Sequence, residues 1–163
     1  MSRVDPMLYN TKGVSCSERT IQMPLPFERD GIALQYPDHW KLDQEESEDG
    51  WSALFESQET AFLMISLHPD VDDPSQLAEG VLDALREEYP ELEADTAVES
   101  VAGQPAIGHD ISFVALDLTN TARTRCLTAT QGCILVMVQL CDSELVRHDP
   151  VLRAMQTSLT ITE

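Results

Sequence analysis

Lysine is almost missing from this chain: Lys12 and Lys41 are the only two in 163 residues, and with eight arginines they face 29 acids, for a formal net charge of −19. A protein so short of cations repels the phosphates of nucleic acid and the headgroups of an anionic bilayer, so neither is expected as a partner. Apolar runs are short as well. No stretch of 18 apolar residues exists to form a transmembrane helix, the first 20 residues lack the apolar core of a signal peptide, and Asn10 to Ser15 are too polar to precede a lipoprotein cysteine at Cys16. The expected location is the cytoplasm.

Catalytic signatures are equally scarce. G-x-S-x-G, a phosphate-cradling glycine loop and H-E-x-x-H are absent, and His39, His68, His109 and His148 form no H-x-H or H-x-x-x-H pair. Cysteine is limited to Cys16, Cys126, Cys133 and Cys141. If Gln131-Gly132 is a two-residue turn, Cys126 faces Met137 and lies roughly 13 Å from the position opposite Cys133, while Cys133 and Cys141 are roughly 26 Å apart along one strand. One zinc, with ligands about 2.3 Å from the metal, spans neither gap. The thiols are therefore expected to be reduced and buried, with only Cys16 exposed. Asp70-Val71-Asp72-Asp73-Pro74 imitates the opening of a calcium loop. Pro74 takes the third ligand position, however, the turn glycine is missing, and Val81 stands where the closing glutamate belongs. No cofactor, no metal and no enzymatic activity is expected.

What the chain does have is a concentration of acid. Between Asp43 and Glu99 lie 18 of the 29 acids and one base, Arg86, a net −17 against −2 over the remaining 106 residues. Two readings stand for this segment: a solvated, salt-adapted surface, and a docking face for a basic protein. Acids in the first turn and on the outer face of a helix are usually a solvated surface, and two lysines in the whole chain suit salt adaptation; what speaks for docking is the confinement of the excess to one segment, because a global adaptation spreads along a chain. The candidate binding residues are Glu45, Glu46, Glu48, Asp49, Asp70 and Asp72, bordered by Trp40 and Trp51. Core packing is the usual fate of a tryptophan, but one at the rim of an acidic patch anchors an interface.

With 42% apolar residues, nine dispersed prolines and no repeat, the chain reads as one globular domain over 14–163 preceded by a flexible arm over 1–13. Strands are signalled at Val14 to Gln22, Gly31 to Tyr36, Trp51 to Ser57 and Ala61 to His68, with an acidic loop over Asp43 to Gly50. Asp73-Pro74 opens a helix whose stripe is Leu77, Ala78, Val81, Leu82, Leu85 and Tyr89, ended by Pro90, with Gly80 marking a close approach to a sheet. Further strands follow near Asp95 to Val101, Ile107 to Leu118, Ala122 to Thr130 and Cys133 to Cys141, with turns at Gly103-Gln104-Pro105 and Gln131-Gly132. The last strand is apolar on both faces and should be central, covered on both sides. Asp149-Pro150 opens a closing helix. Hairpins in series imply an α+β fold: an antiparallel sheet of about six to eight strands with helices packed on its faces.

Three stretches resemble the PsbP-like superfamily. Gly31-Ile32-Ala33-Leu34-Gln35-Tyr36-Pro37-Asp38-His39-Trp40 is similar to its entry strand with Tyr-Pro and a following Trp. Val101-Ala102-Gly103-Gln104-Pro105-Ala106 resembles its Gly-x-Pro turn into a long strand, and Met155-Gln156-Thr157-Ser158-Leu159 its closing helix. The resemblance covers about 25–162 and implies a PsbP-like α/β/α sandwich. It also implies an adaptor without a common active site, since members include a photosystem subunit, a GTPase-binding protein and chaperones of secreted effectors. The function expected is thus a non-catalytic protein-binding or adaptor domain, monomeric or homodimeric, using its acidic face. The alternatives are a homodimeric chaperone for a secreted effector and an enzyme of unknown class.

Overall fold

Two-residue turns organise most of this structure, a computed structural model that describes residues 24–162. The expected arm over 1–13, the strand over Val14 to Gln22 and Cys16 lie outside the described residues. Strand β1 (Leu25–Arg29) turns through Asp30 and Gly31, both at positive φ, into β2 (Ile32–Tyr36). The chain then enters β3 (Lys41–Ser47), β4 (Gly50–Glu56) and β5 (Phe62–His68), a meander of consecutive antiparallel pairs. Helix α1 (Pro74–Glu88) carries the chain over to the far edge, where β6 (Glu93–Val101), β7 (Gln104–Ala115), β8 (Leu118–Ala129) and β9 (Gly132–Cys141) form a second meander. That meander returns to pair β9 with β5, giving the order β3-β4-β5-β9-β8-β7-β6. A short 3₁₀ turn (Asp142–Glu144) leads into α2 (Leu145–Thr157), and β10 (Thr160–Ile161) joins β2 and β1 in a small sheet ordered β10-β2-β1.

The fold class is as expected, seven antiparallel strands with a helix on each face. Strand β9 is central and buried on both faces, with Val136 only 1% exposed. Asp73 caps α1 by accepting from the backbone N–H of Ser75 at 2.9 Å. Several local expectations are corrected. The acidic stretch Asp43 to Gly50 is mostly edge strand, because an edge needs no apolar face and charge there blocks pairing with another sheet. The second helix begins at Leu145, so Pro150 lies inside α2 and leaves the carbonyl of Val146 without its intrahelical donor. Asp149, no cap, accepts from Arg153 at 2.9 Å and faces Arg123 at 2.8 Å.

Two glycine assignments also change. The turn between β8 and β9 is Thr130-Gln131, since Gly132 already pairs with Ala129. Glycine is required at 132 because an added Cβ would lie 2.4 Å from the His68 carbonyl oxygen. The register therefore moves by two residues. Cys126 faces Leu135, not Met137, and sits diagonally to Cys133 on the α1 side. Likewise the turn before β7 is Ala102-Gly103, with Gln104 and Pro105 already in the strand.

The two layers are offset across the sheet. On one face, α2 and the small sheet cover a core that includes Phe55, Leu63, Ile65, Val136, Val138 and Leu152. On the other, α1 packs Leu77, Ala78 and Leu82 against Ile111, Ala122 and Leu135, strand positions drawn from β7, β8 and β9. On the α1 side, Leu54 of β4 and Phe62 of β5 stay only half-buried, whereas the core on the α2 side reaches across the sheet to Leu127, Ala106 and Val101.

Candidate functional site

The acids singled out in the sequence gather at one edge and one end of the large sheet. Glu45 and Glu46 lie on edge strand β3, opposite Ser52 and Trp51. Glu48 and Asp49 form the turn into β4, and that turn abuts the β5–α1 connection: a Cβ on Gly50 would lie 3.0 Å from Pro69. Asp70 and Asp72 follow on that connection, both exposed. Glu46 is held by Arg29 at 2.6 Å. Among the described residues, Glu45, Glu48, Asp49, Asp70 and Asp72 make no ion pair, so their charge is presented to solvent.

Glu45, Glu46, Asp49 and Trp51 line a pocket of about 220 Å³ together with Ser66 and His68. Ser66 and His68 were not singled out from sequence, although their i, i+2 spacing on β5 already places them on one face. Ser66 Oγ and His68 Nε2 are 2.8 Å apart. Burial holds the His68 imidazole below its usual range against the pull of Asp49, so it is neutral at pH 7. Ser66 is only 6% exposed, and an oxygen so enclosed is poorly placed to attack a substrate.

Neither tryptophan offers an exposed ring. Trp51 is 6% exposed, packs on Phe27, donates from Nε1 to Asp30 at 2.8 Å, and carries the Arg29 guanidinium 4.9 Å from its ring centre. Trp40 is 5% exposed and meets His148 edge-on. Both serve as core, and Arg29, stacked on Trp51 and bonded to Gln44 and Glu46, closes the α2-side face of β3.

Two other polar clusters went unnoticed in the sequence because their members lie far apart in the chain. Glu59, Glu144 and His148 bring three ligand atoms within 4.8 Å of one another, the geometry of a cation site. Their bonding is already committed, however. Glu144, buried, accepts from the backbone N–H groups of Thr60 and Ala61 and from the Thr60 hydroxyl. Glu59 takes Arg147 at 2.7 Å and His148 at 2.7 Å, hydrogen bonds that hold its carboxyl below the usual range. A guanidinium inside the cluster opposes a metal, and the arrangement acts as a clasp between the β4–β5 connection and α2. On the α2 side of β8, buried Arg123 pairs with Asp149 of α2, and buried Arg125 with Glu99 and Asp110, so the charges there largely neutralise one another.

No family model matches the chain, and no curated protein matches it either. Solved structures do. A cyanobacterial PsbP from Synechocystis is 13% identical, with 91% of this chain and 98% of that one covered at a TM-score of 0.58. LpqN, involved in cell envelope biogenesis of Mycobacterium tuberculosis, is 17% identical, with 90% and 94% covered at 0.51. Protein PA94 of Pseudomonas aeruginosa, of unknown function, is 12% identical, with 86% and 98% covered at 0.54. At such identities the likeness speaks for the backbone alone. The entry strand ending at Tyr36, the Gly103-x-Pro105 passage into the twelve-residue β7 and the closing helix take the places their resemblance implied, and the chain has a PsbP-like fold.

Proposed function

We propose that this chain is a non-catalytic protein-binding domain that meets a basic protein partner through the acidic edge and end of its large sheet. The observation that carries this reading is the convergence of Glu45, Glu48, Asp49, Asp70 and Asp72, from two separate connections and an edge strand, without compensating cations among the described residues. A surface of one sign steers an oppositely charged partner and repels a second copy of itself. The acids of β3 oppose edge-to-edge pairing of two chains, which weighs against a homodimeric chaperone built on that edge. The neighbours of this fold named above, cyanobacterial PsbP and LpqN, are not described as enzymes, which supports the non-catalytic half of the reading.

The test is association kinetics with a lysine-rich peptide. Neutralising Glu45, Glu48 and Asp49 together should lower the on-rate by about tenfold at low salt and change the off-rate less. Asp83, Glu87 and Glu88, exposed on α1, form a control triple of equal charge. Equal losses from both triples would reduce the effect to long-range attraction by a negative protein. No loss from either would leave the acids as a solubility feature and refute the reading.

A further inference from the structure

The α1 side of the sheet beside the acidic edge has a shape and chemistry of its own. Cross-strand partners share a face, so Leu54 and Met64, paired across β4 and β5, point to the α1 side together with Phe62, itself opposite Glu56. All three apolar side chains are half-buried; Met64 packs at the border of the core under α1, and α1 rests on β7 to β9, leaving no layer over Leu54 and Phe62 among the described residues. The same face carries Asp43, Glu45 and Glu56 around this strip; Lys41 lies 3.5 Å from Asp43, and His68 stands at the far end of β5. Three strands at about 4.8 Å spacing make a floor about 14 Å wide, enough for one helix of about 10–12 Å diameter lying beside α1.

We infer that this strip is the seat of a basic amphipathic helix supplied by the partner protein, an inference that rests on the reading proposed above. The helix sets its apolar stripe on Leu54, Phe62 and the edge of Met64, and its flanking lysines and arginines meet Glu45 and Glu56, with Asp43 already beside Lys41. Charge complementarity selects this occupant. A second copy of the chain would bring carboxylates against carboxylates, and a purely cationic extended segment would leave the apolar strip wet. The helix completes the layer that α1 begins, so the bound domain has a continuous two-helix face.

The probe is a synthetic leucine–lysine peptide patterned as an amphipathic helix, compared with a scrambled peptide of the same composition. With the full chain, the patterned peptide should bind at least about tenfold more tightly, the gain expected from burying one or two large apolar side chains. It should shift the methyl resonance of Met64 and leave that of Met155, on the buried side of α2 at the opposite face, unchanged. Leu54→Ser with Phe62→Ser should erase the difference between peptides, and the Met64 shift in the unsubstituted chain keeps the test valid if that variant folds poorly. Equal binding of both peptides would overturn this inference while leaving the acidic docking surface standing; no binding of either at low salt would sink both. Contacts from the Met64 methyl to residues 1–23 in the free chain, or peptide-free dimers that shift it, would assign the strip to another occupant and likewise overturn the inference.

Discussion

Replacing Gly80 by alanine should stabilise this protein. Gly80 is the seventh residue of α1, exposed, with nothing within 4 Å of the position an added Cβ would take. Its only effect on folding is then entropic, because glycine in a helix interior loses more backbone freedom than alanine and is worse by about 0.8–1 kcal/mol. In a domain of this size about 1 kcal/mol moves the melting temperature up by roughly 2–4 °C. Gly108 is the opposite case, since a Cβ there would lie 1.7 Å from the Thr124 carbonyl oxygen. Gly108→Ala should force β7 from β8 and cost at least about 1–3 kcal/mol. Calorimetric melts of both variants, with urea midpoints at unchanged m-values, give the comparison. A Gly80→Ala protein that melts at or below the parent would refute the assignment of Gly80 to the solvent side, and a tolerated Gly108→Ala would refute the close approach at β8.

Val136→Asp should unfold the chain, because Val136 is 1% exposed between two packed layers and the carboxylate would find no partner there; a melting temperature within a few degrees of the parent would contradict the central position of β9. Burial pushes the Cys126 thiol up to about 12, with Cys133 adding to the shift, and burial also raises Cys133, so in the native protein neither should be alkylated at pH 8 until denaturant is added. Peptide mapping that finds either modified without denaturant would go against the packing of α1. Burial alone would raise the Asp149 carboxyl, but bonds and charge from Arg153 and Arg123 together hold it below the ordinary 3.8. The unfolded chain therefore takes up this proton first as pH falls, so Asp149 contributes stability above pH 3.8 that is lost as pH drops through the folded value. Asp149→Asn should flatten the acid limb of stability against pH, and an unchanged limb would remove the ion pair from the account.

Much of this architecture was legible because its signals are local. The Asp73-Pro74 start of α1 needs only a side-chain acceptor and a missing N–H, and the two-sided apolar run of β9 needs only its own composition. Where the reading failed, the cause was distant. Gly80 and Gly132 are each just a glycine in the sequence, and only the position of the His68 carbonyl separates a required one from a dispensable one. Edge strand β3 reads as a loop in the sequence because its charges obey no burial pattern; they answer to the lack of a neighbouring strand among the described residues. The start of α2 depends on Glu144 being gripped by Thr60 and Ala61, 84 and 83 residues away. The acids were found, but their convergence required the contact between the β3–β4 turn and Pro69, and the burial of both tryptophans depended on the small sheet and α2 closing over them.

The large sheet is two meanders joined along one line. Within each, neighbouring strands are joined by short connections, but β5 and β9 pair residues 65 to 77 positions apart. Closing that line costs the entropy of a long loop, whereas each hairpin closes a short one. On loop-closure entropy alone, the sheet should part between β5 and β9 before either meander melts, opening like a book along its spine. The edge uncovered by that opening is Ile134-Leu135-Val136-Met137-Val138, the most apolar strand among the described residues and one without a guarding charge. Aggregation should therefore peak at intermediate denaturant, and Gln139→Lys, at a half-buried position on β9, should suppress it; aggregation that tracks only the fully unfolded population would show that the two meanders come apart together.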